Sequence, residues 1–260
     1  MIIFMNPEHH IQKLNELFSL QEFDEKFIDY SQLDMHIGFL MQLATVEGSS
    51  LSVFDIYKRR YVFAQTKFLH LLGVDLDEMM KKGPQIFYSL IHPDDVDFLH
   101  ETHYLFTEFV LNLDPADRKS YKVINDFRMK DLKGNYLRAV KQMVPLELDK
   151  KGNLWLMLVL YDLIPGQSEF TKAQRKIVNI KTGSLYHFPD DRKEDKKQNL
   201  TKREIEILGL LARGLPSKKI ADELFLSVNT VNNHRRNILE KTNTENTRMA
   251  IQYGMSLGLL

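Results

Sequence analysis

The chain has 260 residues, 43% of them hydrophobic, and its 35 Lys and Arg balance its 35 Asp and Glu. It contains no cysteine, which excludes a disulfide framework, a thiolate metal site and a thiol-based redox switch. No apolar stretch approaches the roughly 18 residues of a membrane span, and Met1–Glu8 lacks the positive region of a signal peptide, so we expect a cytoplasmic protein.

The first 45 residues are predicted to be helical. Apolar residues recur at helical spacing from Ile11 to Phe18 and again from Leu33 to Ala44. An isolated helix of this kind would leave an apolar face in water. Residues 1–45 are therefore expected to cover another part of the fold, in the same chain or in a second copy.

Residues 46–165 predict an antiparallel sheet interrupted by short helices. Two similar turns, Asp131–Asn135 and Asp149–Asn153, place Gly beside Asn, which supplies the positive φ angles that hairpins need. Pro145 predicts a bend or an edge, and the last strand is apolar on both faces, so both must be covered. The strands are predicted at 51–56, 61–64, 121–130, 136–148 and 154–164.

This order of elements resembles a PAS domain. The matching segments are Tyr61–Gln65, Phe68–Gly73, His92–Asp95 and Lys133–Tyr136. The resemblance implies a five-stranded antiparallel sheet closed on one face by short helices. It also implies a sensor, so this domain is a candidate binding site for an unidentified small-molecule ligand.

A flavin photoadduct would need a thiol, and the chain has no cysteine. A haem would need an axial histidine, so histidines are the candidate cofactor ligands of this domain. His70, His92, His100 and His103 lie where a haem ligand could sit, and the last two have the spacing of a metal pair. No acidic or imidazole partner is obvious, so a surface or capping role is favoured, and His92 is expected to set a helix start. No cofactor and no metal site are predicted.

Residues 166–199 are predicted to hold a small hairpin and a linker. Two β-prone runs, 177–180 and 184–188, flank Lys181–Gly183. In the run 190–199, eight of ten residues are charged and none is apolar, which is typical of a mobile linker.

Residues 200–260 predict a separate all-α domain with a helix-turn-helix. Thr201 and Glu204 form a capping box, and the helical spacing that follows ends at Gly214. Further helices begin at Ser217 and Ser227. The connection between these two helices is short, so they are expected to cross steeply. One face of the later helix is then left free to enter a major groove.

That free face follows from placing successive residues about 100° apart around the helix. Val231, Ile238 and Thr242 fall on one side and are expected in the core. The opposite side holds several asparagines, although each costs roughly half a kcal/mol against alanine in a helix. Because carboxamides pair with adenine and guanidinium groups with guanine, we predict base reading by Asn229, Asn232, Asn233 and Arg236.

Residues 200 to about 250 resemble the LuxR-type helix-turn-helix family of bacterial transcription regulators. The resemblance rests on Leu200–Glu204, Ala212–Gly214, Lys219–Ala221, Ser227, Thr230–Val231, His234, Ile238, Lys241 and Arg248–Ala250. It implies four helices, with the third, 228–241, in the major groove and the fourth, 245–254, often at a dimer contact. Asn232 stands where the family usually has Lys, and Thr242 where it usually has Leu.

Several polar and basic residues flank the predicted reading face and are expected to contact phosphate. Residues 196–260 hold eleven Lys and Arg against six Asp and Glu, so the basic end is the one that would meet DNA. The expected phosphate contacts are Lys218, Lys219, Thr230, His234, Arg235 and Lys241.

The sequence thus predicts an α+β protein in which a PAS-like domain precedes an all-α DNA-binding domain. We expect double-stranded DNA as a partner and a homodimer formed through the N-terminal helices and through Ala250, Ile251 and Met255 of the fourth helix. No catalytic motif is present. The alternative is an adaptor whose terminal helices bind a protein rather than DNA.

Overall fold

A computed structural model describes residues 7–46, 49–164, 172–186, 188, 200–242, 244–256 and 259–260. The described residues up to 186 form one compact unit, and those from 188 onward form a second. The predicted α+β class is confirmed, because the first unit combines a sheet with helices and the second is helical. The predicted linker 190–199 lies outside the described residues.

The first unit is built on an antiparallel sheet with the order β2-β1-β5-β4-β3-β6-β7. Its first five strands are β1 Ser50–Asp55, β2 Arg60–Gln65, β3 Tyr121–Lys130, β4 Tyr136–Leu148 and β5 Leu154–Ile164. Short helices between β2 and β3 complete the arrangement that the PAS resemblance implies.

The predicted hairpin is present and extends this sheet to seven strands. It consists of β6 Gln174–Asn179 and β7 Leu185–Tyr186, and β6 pairs with β3. The hairpin therefore belongs to the first unit, whereas the sequence had placed it in a separate segment with the linker.

The helices of the first unit are α1 Pro7–Leu20, α2 Tyr30–Val46, α3 Leu69–Leu72, α4 Leu76–Lys82, α5 Pro93–Leu111 and α6 Pro115–Arg118, with 3-10 helices at Glu25–Phe27 and Gly83–Leu90. His92 sets the start of α5 as expected, since its Nδ1 accepts a hydrogen bond from the Asp94 N–H at 3.2 Å. Among the described helices, none is long and apolar enough to cross a bilayer.

The two similar turns fix the register of the three long strands. In each, an aspartate Oδ1 accepts two backbone N–H bonds: Asp131 from Lys133 and Asn135, and Asp149 from Lys151 and Asn153, all at 2.8 to 2.9 Å. The positive φ angles fall on the two glycines alone, 87° at Gly134 and 89° at Gly152. The expected bend is also present, because the β4–β5 register shifts between Pro145 and Glu147.

The N-terminal helices cover both faces of the sheet within the same chain. Helix α1 packs beside α5 on what we call the inner face. Helix α2 lies on the opposite, outer face, where Leu33, Leu40 and Ala44 join a buried cluster with strand residues that include Trp155. Beside it, Glu147 of β4 accepts a hydrogen bond from His36 of α2 at 2.8 Å.

We predict that Leu40→Ala lowers the free energy of unfolding by about 2 to 5 kcal/mol, because Leu40 is 3% exposed and its loss leaves a cavity. Urea unfolding followed by the fluorescence of Trp155, the single tryptophan, measures the change. The neighbouring Met41→Ala is the control and should stay within about 0.5 kcal/mol, because Met41 is 58% exposed. Equal effects of the two substitutions would contradict the outer-face packing.

Candidate nucleic-acid interface

The described residues of the second unit form four helices around one core. They are α7 Lys202–Ala212, α8 Ser217–Leu224, α9 Val228–Thr242 and α10 Thr247–Ser256. The fully buried members of the core include Ile207, Leu208, Ile220, Val231 and Ile238. The three helices predicted before the last begin where the sequence placed them, and Gly214 ends the first run with a φ of 81°.

Glu204 joins the start of α7 to the end of α9. The predicted capping box is present: Glu204 N–H donates to the Thr201 hydroxyl, and Glu204 Oε2 accepts the Thr201 N–H at 2.7 Å. The same Oε2 accepts from Lys241 Nζ at 2.7 Å. Burial alone would raise the pKa of Glu204, but the hydrogen bonds from Lys241 and Thr201 lower it below its ordinary value.

The connection between α8 and α9 is three residues long, which forces the two helices to cross steeply. Phe225 ends α8 in the left-handed conformation, with φ 55° and ψ 44°, and is 95% exposed. Ser227 then caps α9, because its hydroxyl accepts from the Thr230 N–H at 3.0 Å. The helix-turn-helix geometry is thus set by local backbone chemistry.

Helix α9 has the two faces that the sequence predicted. Val231, Ile238 and Thr242 are buried, with at most 1% exposure. The reading face, which we define as Asn229, Asn232, Asn233 and Arg236, is exposed along its whole length. Within the described chain, the three carboxamides form no hydrogen bond, and Arg236 has only a loose, solvent-exposed approach to Glu240 at 3.9 Å.

Val228 adds an apolar side chain to this polar face, and the sequence interpretation had missed it. Its side chain is 41% exposed at the first turn of α9. Residues 228, 232 and 236 are four apart and therefore share one side of a helix. The helical placement that selected Asn232 and Arg236 also puts Val228 on this face. The sequence interpretation missed it because it assigned apolar residues to the core.

The six residues expected at phosphate differ in their surroundings. Lys218 and Lys219 are exposed near the start of α8. Arg235 instead donates to the hydroxyls of Ser217 at 2.7 Å and Thr247 at 3.1 Å. Lys241 is held by Glu204, as described above.

The remaining two residues expected at phosphate are half-buried. Thr230 Oγ1 lies 2.8 Å from the Ser227 hydroxyl, and the buried Nδ1 of His234 has no hydrogen-bond partner in the described chain. Among the six, Lys218 and Lys219 are therefore the exposed cations, whereas Arg235 and Lys241 are held by internal hydrogen bonds.

Two family departures have distinct surroundings. Asn232 is exposed on the reading face, where the family usually has Lys. Thr242 is 1% exposed, and its hydroxyl donates to the Ile238 carbonyl at 2.7 Å and lies 2.8 Å from the hydroxyl of Thr244. Hydrogen bonds of the Thr242 hydroxyl therefore hold the end of α9 to the segment that leads into α10. A leucine at this position would pack by apolar contact alone.

Part of the second unit matches a known family. Residues 198–253 match the bacterial regulatory proteins of the luxR family. The oxygen regulatory protein NreC of Staphylococcus carnosus is 43% identical over 61 residues, which are 24% of this chain and 28% of NreC. The transcriptional regulatory protein LiaR of Bacillus subtilis is 45% identical over 56 residues, 22% of this chain and 26% of LiaR. The chain thus spans little more than a quarter of these relatives.

Solved structures also show similarity, some over most of the chain. A phage VqmA–DPO complex is 18% identical, covers 89% of this chain and 92% of that chain, and gives a TM-score of 0.34. The Vibrio cholerae VqmA dimer is 15% identical over 85% and 88% of the two chains, with a TM-score of 0.32. The response regulator ChrA is 35% identical over 27% and 35%, with a TM-score of 0.25. At such TM-scores these likenesses do not bear on the function of this chain.

We predict that Glu204→Gln destabilises the second unit by about 1 to 3 kcal/mol, because it removes the charge from two hydrogen bonds at a buried site. The pKa of Glu204 is lower in the folded chain than its unfolded value of about 4.3. The ionised carboxylate therefore stabilises the fold above that pH, and this stabilisation is lost as the pH falls through the folded pKa. The difference from the wild type should therefore be largest near neutral pH and shrink below about pH 4.

Urea unfolding of the full chain, followed by the amide NMR signals of α7 and α9, measures this difference. Glu206→Gln is the matched control, because Glu206 is an exposed neighbour that bonds Arg203. It should change stability by less than about 1 kcal/mol. A pH-independent difference for Glu204→Gln would show that charge is not what joins α7 to α9.

Proposed function

We propose that this chain, whose residues 198–253 form a LuxR-family domain, is a sequence-specific DNA-binding transcription regulator. In this proposal the PAS-like unit senses a signal or mediates dimerisation, and the protein acts in the cytoplasm on double-stranded DNA. The observation that carries the proposal is the exposed reading face of α9. It presents three carboxamides and one guanidinium on a helix whose other face is buried.

Each group of the reading face has a base-edge chemistry that it fits. The carboxamides of Asn229, Asn232 and Asn233 match the N6 and N7 of adenine, and Arg236 matches the N7 and O6 of guanine. We add Val228, whose exposed methyl groups match the thymine methyl group. The three carboxamides form no hydrogen bond within the described chain, which supports the recognition of bases as their role.

The six phosphate candidates divide into two kinds of contact. Lys218 and Lys219 reach solvent and are proposed to neutralise phosphates directly. Arg235 and Lys241 are held in place by internal hydrogen bonds, so we propose that they contact phosphate with the hydrogen-bond donors that remain. Thr230 and His234 complete the flank of the reading face. Preorganised side chains of this kind fix the orientation of the helix on the duplex.

A homodimer is the proposed binding form, because paired half-sites supply affinity that one helix-turn-helix lacks. Ala250, Ile251 and Met255 of α10 were expected at the dimer contact. Ala250 is fully buried in the core of its own domain, and Met255 is the exposed member of the three. On α2, Met35 and Phe39 are 65% and 63% exposed on the side away from the sheet. These exposed apolar side chains are the proposed dimer contacts.

We expect Arg236→Ala to weaken binding to the selected DNA site by about 1 to 3 kcal/mol and to relax the preference at one base position. Lys218→Ala should instead weaken binding to all sequences alike and lower the salt slope by about one unit. The control Arg213→Ala removes an exposed arginine beyond the end of α7 and should leave the sequence preference intact. Titration of specific and random duplexes at several salt concentrations measures all three.

The site for that titration comes from selection of bound sequences out of random duplex DNA with the purified full chain. An enriched motif whose binding weakens steeply with salt supports the proposal. Recovery of no enriched motif would favour the protein-binding adaptor instead. Equal loss on specific and random duplex for Arg236→Ala would contradict the assignment of the reading face.

The dimer is tested separately by Phe39→Glu, which places a charge on the exposed face of α2. Light scattering should show a monomer for this variant and a dimer for the wild type. Met41→Glu, at an exposed apolar position that lies nearly opposite Phe39 around the same helix, should remain a dimer. A dimer of unchanged mass for Phe39→Glu would remove α2 from the proposed interface.

A further inference from the structure

The first unit contains a cavity of about 510 Å³ on the inner face of its sheet, partly open to solvent. Helices α1 and α5, the 3-10 helix Gly83–Leu90 and strands β1, β2, β4 and β5 all contribute to its wall. Aromatic side chains supply much of the lining: Phe18, Phe54, Tyr61 and Tyr88. Cavities of this size and character hold small organic molecules in other proteins.

Lys141 is the buried charged side chain of this cavity. It lies on β4, is 7% exposed, and has its Nζ 3.1 Å from Nε2 of His103 on α5 and 5.6 Å from the centre of the Tyr161 ring. Burial lowers the pKa of Lys141 to about 7. Burial and the charge of Lys141 also hold the pKa of His103 well below its ordinary value, so His103 accepts the hydrogen bond as a neutral ring.

The described part of the cavity wall offers no negative charge to balance this lysine. Among the described residues that line it there is no Asp or Glu, whereas Arg59 and Lys82 are also cationic. Each of those two has a polar partner of its own: Arg59 bonds Asn15 at 3.0 Å, and Lys82 bonds Glu78. A buried charge without an opposite charge is unfavourable, because burial removes its hydration.

We propose that this cavity binds a small organic anion, with a carboxylate against Lys141 Nζ and an apolar or aromatic body against the aromatic wall. The ammonium group of Lys141 matches the single charge of a carboxylate, because the other two cations of the wall already have polar partners. The proposal rests on the sensory role given above to the first unit, and it names the chemical class of the signal.

The proposal predicts a specific pH dependence. A carboxylate binds the charged form of Lys141, so its affinity should fall as pH rises above about 7, by up to about tenfold for each pH unit. Burial raises the pKa of each of the three nearby tyrosines, which therefore stay neutral in this range. The titratable and charged groups that face Lys141 or share its cavity are His100, His103, Tyr61, Tyr88, Tyr161, Arg59 and Lys82.

Matched probes separate charge from shape. Benzoate, phenylacetate and 3-phenylpropionate are compared with their neutral primary amides, by calorimetry and thermal shift on the full chain at about pH 6 and about pH 8.5. At least one carboxylate should bind ten or more times tighter than its amide at the lower pH. That preference should shrink at the higher pH, where the affinity of the amide should not change.

Lys141→Met should abolish the preference for carboxylate over amide and remove its pH dependence. Lys122→Met is the matched control, because Lys122 lies on the opposite face of the sheet and bonds Gln142 at 2.8 Å. It should keep the preference. Lys141→Met removes an unbalanced charge and should fold, and the pH dependence of the wild type tests the same point without any substitution.

Three results would overturn the proposal. They are binding of no carboxylate in the series, equal affinity for carboxylate and amide, and an unchanged preference in Lys141→Met. The assay contains no DNA, so each result speaks only to the ligand. Conversely, a selection that enriches no DNA sequence would reject the proposed regulatory function. It would not change the measured affinities of these anions, so the two proposals can fail separately.

Discussion

Strands β1 and β5 bury side chains on both faces of the sheet, and this constraint determines the layout of the first unit. Leu51 and Leu156 face outward with no exposure, while Met157 and Val159 face the inner cavity. A sheet of this kind is stable only between two layers. The chain supplies the second layer from its own N-terminal helices, which are therefore part of the domain rather than an appendage to it.

The inner layer combines tight apolar packing with a buried charge. Phe106 and Val110 of α5 are fully buried, yet Lys141 occupies a strand position on the same side as the cavity. A lysine there lowers the stability of the free fold, since an apolar residue would bury at no electrostatic cost. Proteins depart from local packing rules mainly at functional sites, which is why this position stands out from the rest of the core.

The long strands and the capped helices could be predicted from sequence because their signals are local. The turns that begin at Asp131 and Asp149 bound β3, β4 and β5 at the predicted residues, and the capping box at Thr201 marks the start of α7. The pairing of β6 with β3 could not be predicted, because it joins distant segments. The cavity on the inner face likewise depends on how helices from three parts of the chain pack over the sheet.

The separation of the two faces of α9 has a consequence for the DNA recognition that we propose. Asn229, Asn232, Asn233 and Arg236 lie outside the core cluster, so substitutions among them remove no core contact. Under the proposed function, the set of target genes can diverge between related chains by mutation at these few positions, without compensating changes in the core. For the same reason, the proposal makes this helix a suitable scaffold for engineering new DNA preferences.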